Sequence, residues 1–120
     1  MALNWKAALA VATIAATAGP ALAHHSFAMF DAKKVVTVSG TVKEFQWTNP
    51  HIWIQLYVTE AGKVTEWSIE GGSPNALSRR GWKSTSLKPG DKVTVKFNPL
   101  KNGDKGGGLL SVTGPDGKTI

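Results

Sequence analysis

The chain has 120 residues, no cysteine and a formal net charge of +6 at pH 7. This length supports one domain with a modest hydrophobic core and argues against two. The lack of cysteine excludes disulfides and thiol chemistry, so packing alone must stabilise the fold, while the positive charge favours anionic surfaces or polymers as weak partners.

The first 23 residues have the three regions of a cleavable secretory signal. Lys6 precedes an apolar, alanine-rich run over 7–18, which ends at Gly19-Pro20, and Ala21-Leu22-Ala23 supplies the small residues of a cleavage site. The apolar run is shorter than the roughly 20 residues that a membrane-spanning helix needs. We therefore expect cleavage after Ala23, an exported mature domain of residues 24–120 and no membrane span. For an exported domain we expect no nucleic-acid partner.

The first predicted strand covers 35–42, where apolar residues recur at every second position. Phe45 and Trp47 have the opposite parity, which indicates a bulge or a strong bend near 43–44. Thr48-Asn49-Pro50 predicts a turn, because proline pushes the residue before it out of the helical conformation.

The second strand is predicted over 51–58 and the third over 63–70. The outward face of the second strand is aromatic and polar, with His51, Trp53, Gln55 and Tyr57. If the four-residue loop between the strands closes a hairpin, Ile54 pairs with Trp67, and therefore His51 pairs with Glu70.

A short helix is predicted after the third strand. Gly71-Gly72 ends the strand, and Ser73-Pro74 is a typical helix start, because serine caps the free amides and proline is favoured at the first helical position. We expect the helix to run to about Arg80, and we expect Trp82 and Leu87 to pack back onto the core.

Two further strands are predicted after the helix, over 92–97 and 109–113, and the glycine-rich and lysine-rich stretch 98–108 predicts a mobile loop between them. The chain is therefore all-β with one short helix between strands 3 and 4. This is the element order of the OB fold, a small five-stranded Greek-key barrel. A plain five- or six-stranded sandwich would use the same strands, and we favour the barrel.

The three histidines are the residues that best suit a metal. Cleavage would make His24 the first residue, where its amine and imidazole form a two-nitrogen chelate to which His25 can add a second imidazole. Copper(II) heads the divalent affinity order and accepts square nitrogen sites, and an amine pKa of about 7.7–8.0 lets a metal displace the proton near neutral pH. We predict copper(II) ligation by His24, His25 and His51. Glu70 would accept a hydrogen bond from one ring nitrogen of His51 and so orient the other toward the metal.

This site requires the N-terminal segment to fold back toward the second strand, and Phe27, Met29 and Phe30 are the side chains that we expect to anchor it. The alternative is an ordinary disordered terminus, together with a surface histidine that has no ligand role.

A second candidate site is the aromatic face formed by Trp53, Gln55 and Tyr57, with Trp47 near the strand bend. Strands 2 and 3 of OB folds form a binding face, and flat aromatic rings stack on sugars or bases at little entropic cost. This face would hold an anionic polymer, a glycan or a protein partner. The alternative is that the N-terminal segment or the helix covers these rings.

The sequence does not predict an enzyme. Ser73, His51 and Glu70 are residue types of hydrolase triads, but Ser73 is needed as a helix cap and no nucleophile elbow surrounds it. The stretch 103–108 is not a phosphate-binding loop, because it lacks the Gly-Lys-Ser/Thr ending and precedes a strand.

Several segments resemble a group of small secreted proteobacterial proteins that is catalogued as a domain of unknown function. They are HHSFAMFD at 24–31, GTV at 40–42, FQWTNPH at 45–51, EWSIEG at 66–71, LKPGD at 87–91 and PDG at 115–117. The resemblance implies a periplasmic location and a small β-barrel, and it implies no activity, cofactor or site residue. We therefore predict a periplasmic, non-enzymatic binding module.

Overall fold

The structure is a computed structural model that describes residues 27–120. It has the strands β1 (Val36–Gln46), β2 (Trp53–Glu60), β3 (Lys63–Glu70), β4 (Lys92–Pro99) and β5 (Gly106–Thr113), the helix α1 (Pro74–Ser78), and a 3-10 turn at Phe27–Met29. The predicted signal over 1–23, and also His24 and His25, lie outside the described residues. Within 27–120, no helix has the length and apolar character that crossing a bilayer requires.

The five strands form a closed barrel in the order β1-β2-β3-β5-β4. Neighbouring strands are antiparallel except β3 and β5, which run parallel and pair Ser68–Glu70 with Gly106–Gly108. With α1 between β3 and β4, this is the topology of an OB fold. The predicted fold class is confirmed, and the sheet closes on itself instead of splitting into a sandwich.

Alternate residues of the strands fill the barrel, as period-two patterning predicts. The buried side chains include Val42, Ile52, Ile54, Leu56, Val58, Ile69, Val93, Val95, Phe97 and Val112. The predicted bulge in β1 is confirmed, because pairing with β2 shifts between Val42 and Glu44. This shift turns Phe45 toward the interior, opposite Ile54.

The helix closes one part of the core. Ser73 caps it, with its Oγ accepting a hydrogen bond of 3.1 Å from the amide of Ala76. The helix ends at Ser78, and the connection that follows buries Trp82 and Leu87, which are 4% and 3% exposed. Both predictions for this segment, the cap and the return to the core, are confirmed.

The predicted pairing of β2 with β3 is wrong. Ile54 pairs with Ile69 instead of Trp67, and Glu60 pairs with Lys63, so the hairpin loop contains only Ala61-Gly62. Both loop residues have positive φ, 48° and 78°, as in the two-residue turns that match strand twist. A shift by two residues keeps the same side chains inward, so the period-two pattern could not reveal it.

The predicted mobile loop over 98–108 is also wrong. β4 continues to Pro99 and β5 begins at Gly106, so the loop is confined to 100–105. A Cβ at Gly106 would collide with the carbonyl oxygen of Ser68, and one at Gly107 with that of Asn98. These glycines are present because neighbouring strands pass too close for a side chain, and they form the strand that closes the barrel.

Candidate functional site

His51 lies between β1 and β2, and its backbone is held from two sides. Thr48 Oγ1 donates a hydrogen bond of 2.7 Å to the His51 carbonyl, and the next residue, Ile52, exchanges two backbone hydrogen bonds of 2.9 Å with Gly71 and Gly72. His51 therefore sits on the ordered edge of the barrel, two residues before β2 begins.

One hydrogen bond sets the chemistry of the His51 ring. Its Nδ1 lies 2.9 Å from the carbonyl oxygen of Gly71. Since a carbonyl can only accept, Nδ1 carries the proton, and Nε2 of the neutral ring retains its lone pair. The side chain is 35% exposed. A histidine held in this way is prepared to bind a metal through Nε2.

Glu70 lies beside this ring, although the strand pairing differs from the predicted one. Its Oε1 is 3.7 Å from Nδ1 of His51, which is longer than a hydrogen bond. The Glu70 side chain is only 10% exposed, and its residue pairs with Trp53 on β2. The Gly71 carbonyl therefore orients the ring, and Glu70 contributes a nearby negative charge.

The segment before β1 adds a short strip of backbone pairing to the end of β4. The amide of Asp31 donates a hydrogen bond of 2.8 Å to the carbonyl of Pro99, and the amide of Lys101 donates one of 2.9 Å to the carbonyl of Met29. This pairing fixes the course of the chain that leads back toward the N-terminus.

Phe30 is the side chain that anchors this segment. A Cβ on Gly108 would lie 3.0 Å from the Phe30 ring, so the ring rests directly on the bare backbone of β5. Gly108 is the β5 partner of Glu70. Of the other two predicted anchors, Met29 is 38% exposed and the side chain of Phe27 lies outside what the structure describes. The segment thus docks on the strand next to Glu70.

The aromatic face is formed by Trp53, Gln55 and Tyr57 on the outer side of β2. Tyr57 is 39% exposed, Trp53 is half-buried, and Gln55 Nε2 donates a hydrogen bond of 2.9 Å to Oε1 of Gln46 on β1. Trp47 does not join them. It packs edge-on against Phe45, with ring centroids 5.8 Å apart, on the side of the core.

Carboxylates border the aromatic face on both neighbouring strands, at Glu44, Glu66 and Glu70. Lys43 Nζ lies 5.6 Å from the centroid of the Tyr57 ring and donates a hydrogen bond of 3.0 Å to Glu66. This hydrogen bond, followed by the charge of Glu66, raises the pKa of Lys43 above its usual value of 10.5. Because the charges of Lys43 and Glu66 match each other, Lys43 does not make this face basic.

Residues 10–109 match a family of unknown function, DUF6152. The chain belongs to this family. The matched range contains His24, His25, His51 and the aromatic face, and the resemblance to a family of unknown function is confirmed. No curated protein matches this DUF6152 chain.

A solved structure with a similar fold is the mitochondrial single-stranded DNA binding protein of S. cerevisiae. The two superpose with a TM-score of 0.50 at 11% sequence identity, over 68% of the DUF6152 chain and 94% of the yeast chain. At this identity the likeness concerns the fold alone, and it agrees with the closed five-stranded barrel.

The structure describes one of the three predicted metal ligands, because His24 and His25 precede residue 27. Within 27–120 of the DUF6152 chain, no group of three or more histidine, cysteine, aspartate or glutamate residues is arranged to hold a metal. His51 is the predicted ligand that lies in this range. The sequence analysis missed the Gly71 carbonyl, because a backbone acceptor is present at every residue and has no sequence signature.

Proposed function

We propose that this DUF6152 domain is an exported, non-enzymatic binding module that holds copper(II) at its mature N-terminus through His24, His25 and His51. The observation that carries the proposal is the hydrogen bond from His51 Nδ1 to Gly71, which leaves Nε2 free as a nitrogen ligand. The amine and imidazole of His24 and the imidazole of His25 supply the other nitrogens, and copper(II) prefers such nitrogen-rich sites.

The anchoring of Phe30 supports this arrangement. His24 precedes Phe30 by six residues, a span of at most about 21 Å of extended chain. The Phe30 ring rests on Gly108, whose β3 partner Glu70 contacts His51. Six residues of chain are therefore available to lead from this anchor to a ligand position beside His51, where the Glu70 carboxylate would offset part of the charge of a bound dication.

The test uses protein exported to the periplasm, with its N-terminus identified by intact mass. Equimolar copper(II) is added with a competing chelator, and the bound metal is observed by electron paramagnetic resonance. We expect one nitrogen-rich signal that survives the competitor. His51→Gln keeps a hydrogen-bond donor for Gly71, and we expect this variant to lose the metal to the chelator while its circular dichroism is unchanged.

Two further variants separate a folded site from a histidine tail. One alanine inserted ahead of His24 removes the terminal chelate and should weaken copper retention, whereas Trp53→Ala should leave it unchanged. If His51→Gln holds copper as well as the parent protein, or if the mature chain does not begin at His24, the proposal is wrong.

A second candidate function is the binding of a neutral glycan on the aromatic face. The strands 2 and 3 face of OB folds binds oligonucleotides and oligosaccharides, and Trp53 and Tyr57 offer rings for stacking there. The structural neighbour from yeast binds single-stranded DNA, but Glu44 and Glu70, the two border carboxylates that Lys43 does not neutralise, would repel phosphates. Those carboxylates, together with the amide of Gln55, suit sugar hydroxyls instead.

Affinity electrophoresis through gels that contain a neutral glucan tests this second function. We expect retardation of the parent protein and its loss in Trp53→Ala. Val64→Ala removes another exposed apolar side chain, which is 65% exposed, and should behave as the parent does. Equal mobility of all three proteins with and without glucan would rule out the glucan as a ligand.

A further inference from the structure

We infer that the connection between α1 and β4 docks onto a bilayer that contains anionic phospholipid headgroups. The basic segment, as we call residues 79–88, carries the exposed side chains Arg79, Arg80, Lys83 and Lys88. The chain has no acidic residue between Glu70 and Asp91. This inference does not depend on copper binding, because it uses none of the proposed ligands.

Several lysines of the described residues have a carboxylate partner, and the cations of the basic segment do not. Lys43 and Lys105 have carboxylate partners at 3.0 Å and 2.9 Å, and Lys34 has one at 3.8 Å. Among the residues that the structure describes, no ion pair within 4.0 Å includes a cation of the basic segment. Asp91 follows the segment, but its Oδ2 accepts the backbone amide of Lys88 and serves the turn.

The basic segment is held in place by its apolar residues. Trp82 and Leu87 are 4% and 3% exposed and belong to the core. The amide of Trp82 donates a hydrogen bond of 3.0 Å to Leu77, and Ser86 Oγ accepts one of 2.8 Å from the amide of Lys83. The four exposed cations are therefore carried on one ordered connection, which lowers the entropy lost when this connection meets a charged surface.

The chemistry of the segment favours a bilayer over a polymer. Proteins that hold single-stranded polymers combine cations with aromatic rings for stacking, and Trp82, the aromatic residue of this segment, is buried. Contact through cations alone is typical of peripheral binding to anionic headgroups, in which each lysine or arginine near the surface adds to the affinity. An exported domain is exposed to such headgroups.

Vesicle sedimentation tests this inference on the mature exported chain. We expect binding to vesicles of phosphatidylglycerol and phosphatidylcholine at low salt, no binding to phosphatidylcholine alone, and release at high salt. Replacing the four basic residues with glutamine (Arg79→Gln, Arg80→Gln, Lys83→Gln and Lys88→Gln) should lower the partition coefficient by about tenfold or more.

A matched control removes the same number of charges from exposed lysines elsewhere, with Lys33→Gln, Lys96→Gln, Lys101→Gln and Lys118→Gln. It should bind vesicles within a few-fold of the parent. Equal loss in both variants would mean that net charge alone acts, and equal retention would exclude the segment; either result overturns the inference. Binding of a sulfated polysaccharide without binding of vesicles would identify a polymer as the occupant and would also overturn it.

Discussion

His51 is held by a neighbour that sequence analysis did not identify. Glu70 was the predicted orienting group, yet its Oε1 lies 3.7 Å from Nδ1, whereas the Gly71 carbonyl lies 2.9 Å away. The two partners have different consequences, because a backbone carbonyl cannot lose its acceptor role by protonation. The Nδ1–H tautomer is therefore maintained by the backbone of the barrel edge and not by the charge of a side chain.

Gly107 provides a prediction at the scale of one residue. A Cβ at this position would collide with the carbonyl of Asn98 and lie 2.5 Å from the Phe97 ring. We expect Gly107→Ala to lower the free energy of unfolding by about 3 kcal/mol, because neither the strand backbone nor the core ring can move away without disturbing the packing of the barrel. Urea titration of the tryptophan fluorescence measures the change.

The matched control for this substitution is Gly72→Ala. A Cβ at Gly72 finds its nearest neighbour, the Leu77 side chain, at 3.9 Å, so we expect a change within about 0.5 kcal/mol. Similar unfolding midpoints for the two alanine variants would contradict the close approach of β5 to β4.

At the scale of elements, β1 turns even-numbered residues toward the core before its bulge and odd-numbered residues after it. Val36, Val38 and Val42 lie on the inner side before the bulge, and Phe45 lies there after it. One extra residue at position 43 therefore lets one strand contribute to two parts of the barrel wall. The sequence shows this directly, since hydrophobic parity changes wherever a bulge is inserted.

Deletion of Lys43 tests the bulge. Without this residue the pairing with β2 becomes regular, and Phe45 still lies opposite Ile54 on the inner side, because Glu44 takes the outward position that follows Val42. We expect the unfolding transition to stay cooperative and its urea midpoint to fall, because β1 loses the bend and added twist that the bulge gives it.

Lys43→Ala is the control for the deletion, because it keeps the residue count and removes only the exposed ion pair with Glu66 and the contact of the ammonium with the Tyr57 ring. Its midpoint should stay close to that of the parent, since exposed pairs contribute little to stability. Equal midpoints for the deletion variant and Lys43→Ala would show that the bend at the bulge is dispensable.

At the scale of the whole molecule, the barrel is closed by its shortest strand pairing. β3 and β5 share three residue pairs, compared with eight between β2 and β3. We call the β3–β5 pairing the seam. Two backbone hydrogen bonds next to it, from Ser68 to Lys105 and from Leu100 to Gly106, are 3.2 Å long, at the upper end of the usual range. We infer that opening of the β3–β5 seam requires less free energy than unfolding of the β1–β2–β3 meander.

Native-state hydrogen exchange measures this difference. The amide of Ser68, which donates across the seam, should exchange at least about tenfold faster than the amide of Leu56 in the centre of β2, because local opening exposes the first but not the second. Equal protection of the two amides would mean that the barrel opens only by global unfolding.

The sequence by itself determined the features that depend on local order along the chain. Period-two burial marked the inward residues of β2 and β4, the parity change marked the bulge, and Ser73-Pro74 marked the start of α1. The bounds of β3, 63–70, agree with the prediction. Each of these signals is contained in a few consecutive residues. Together they were sufficient to predict the order of strands and helix that is typical of an OB fold.

Only the tertiary structure decided which backbones meet across the barrel. The β2–β3 register followed from the two-residue turn, and the glycines 106–108 proved to be a strand because β3 and β4 approach them closely. His51 acquired its partner, Gly71, from the residue that follows β3. The acidic border of the aromatic face likewise comes from two neighbouring strands. These features depend on residues far apart in sequence, whose contacts the folding of the barrel creates and no local pattern encodes.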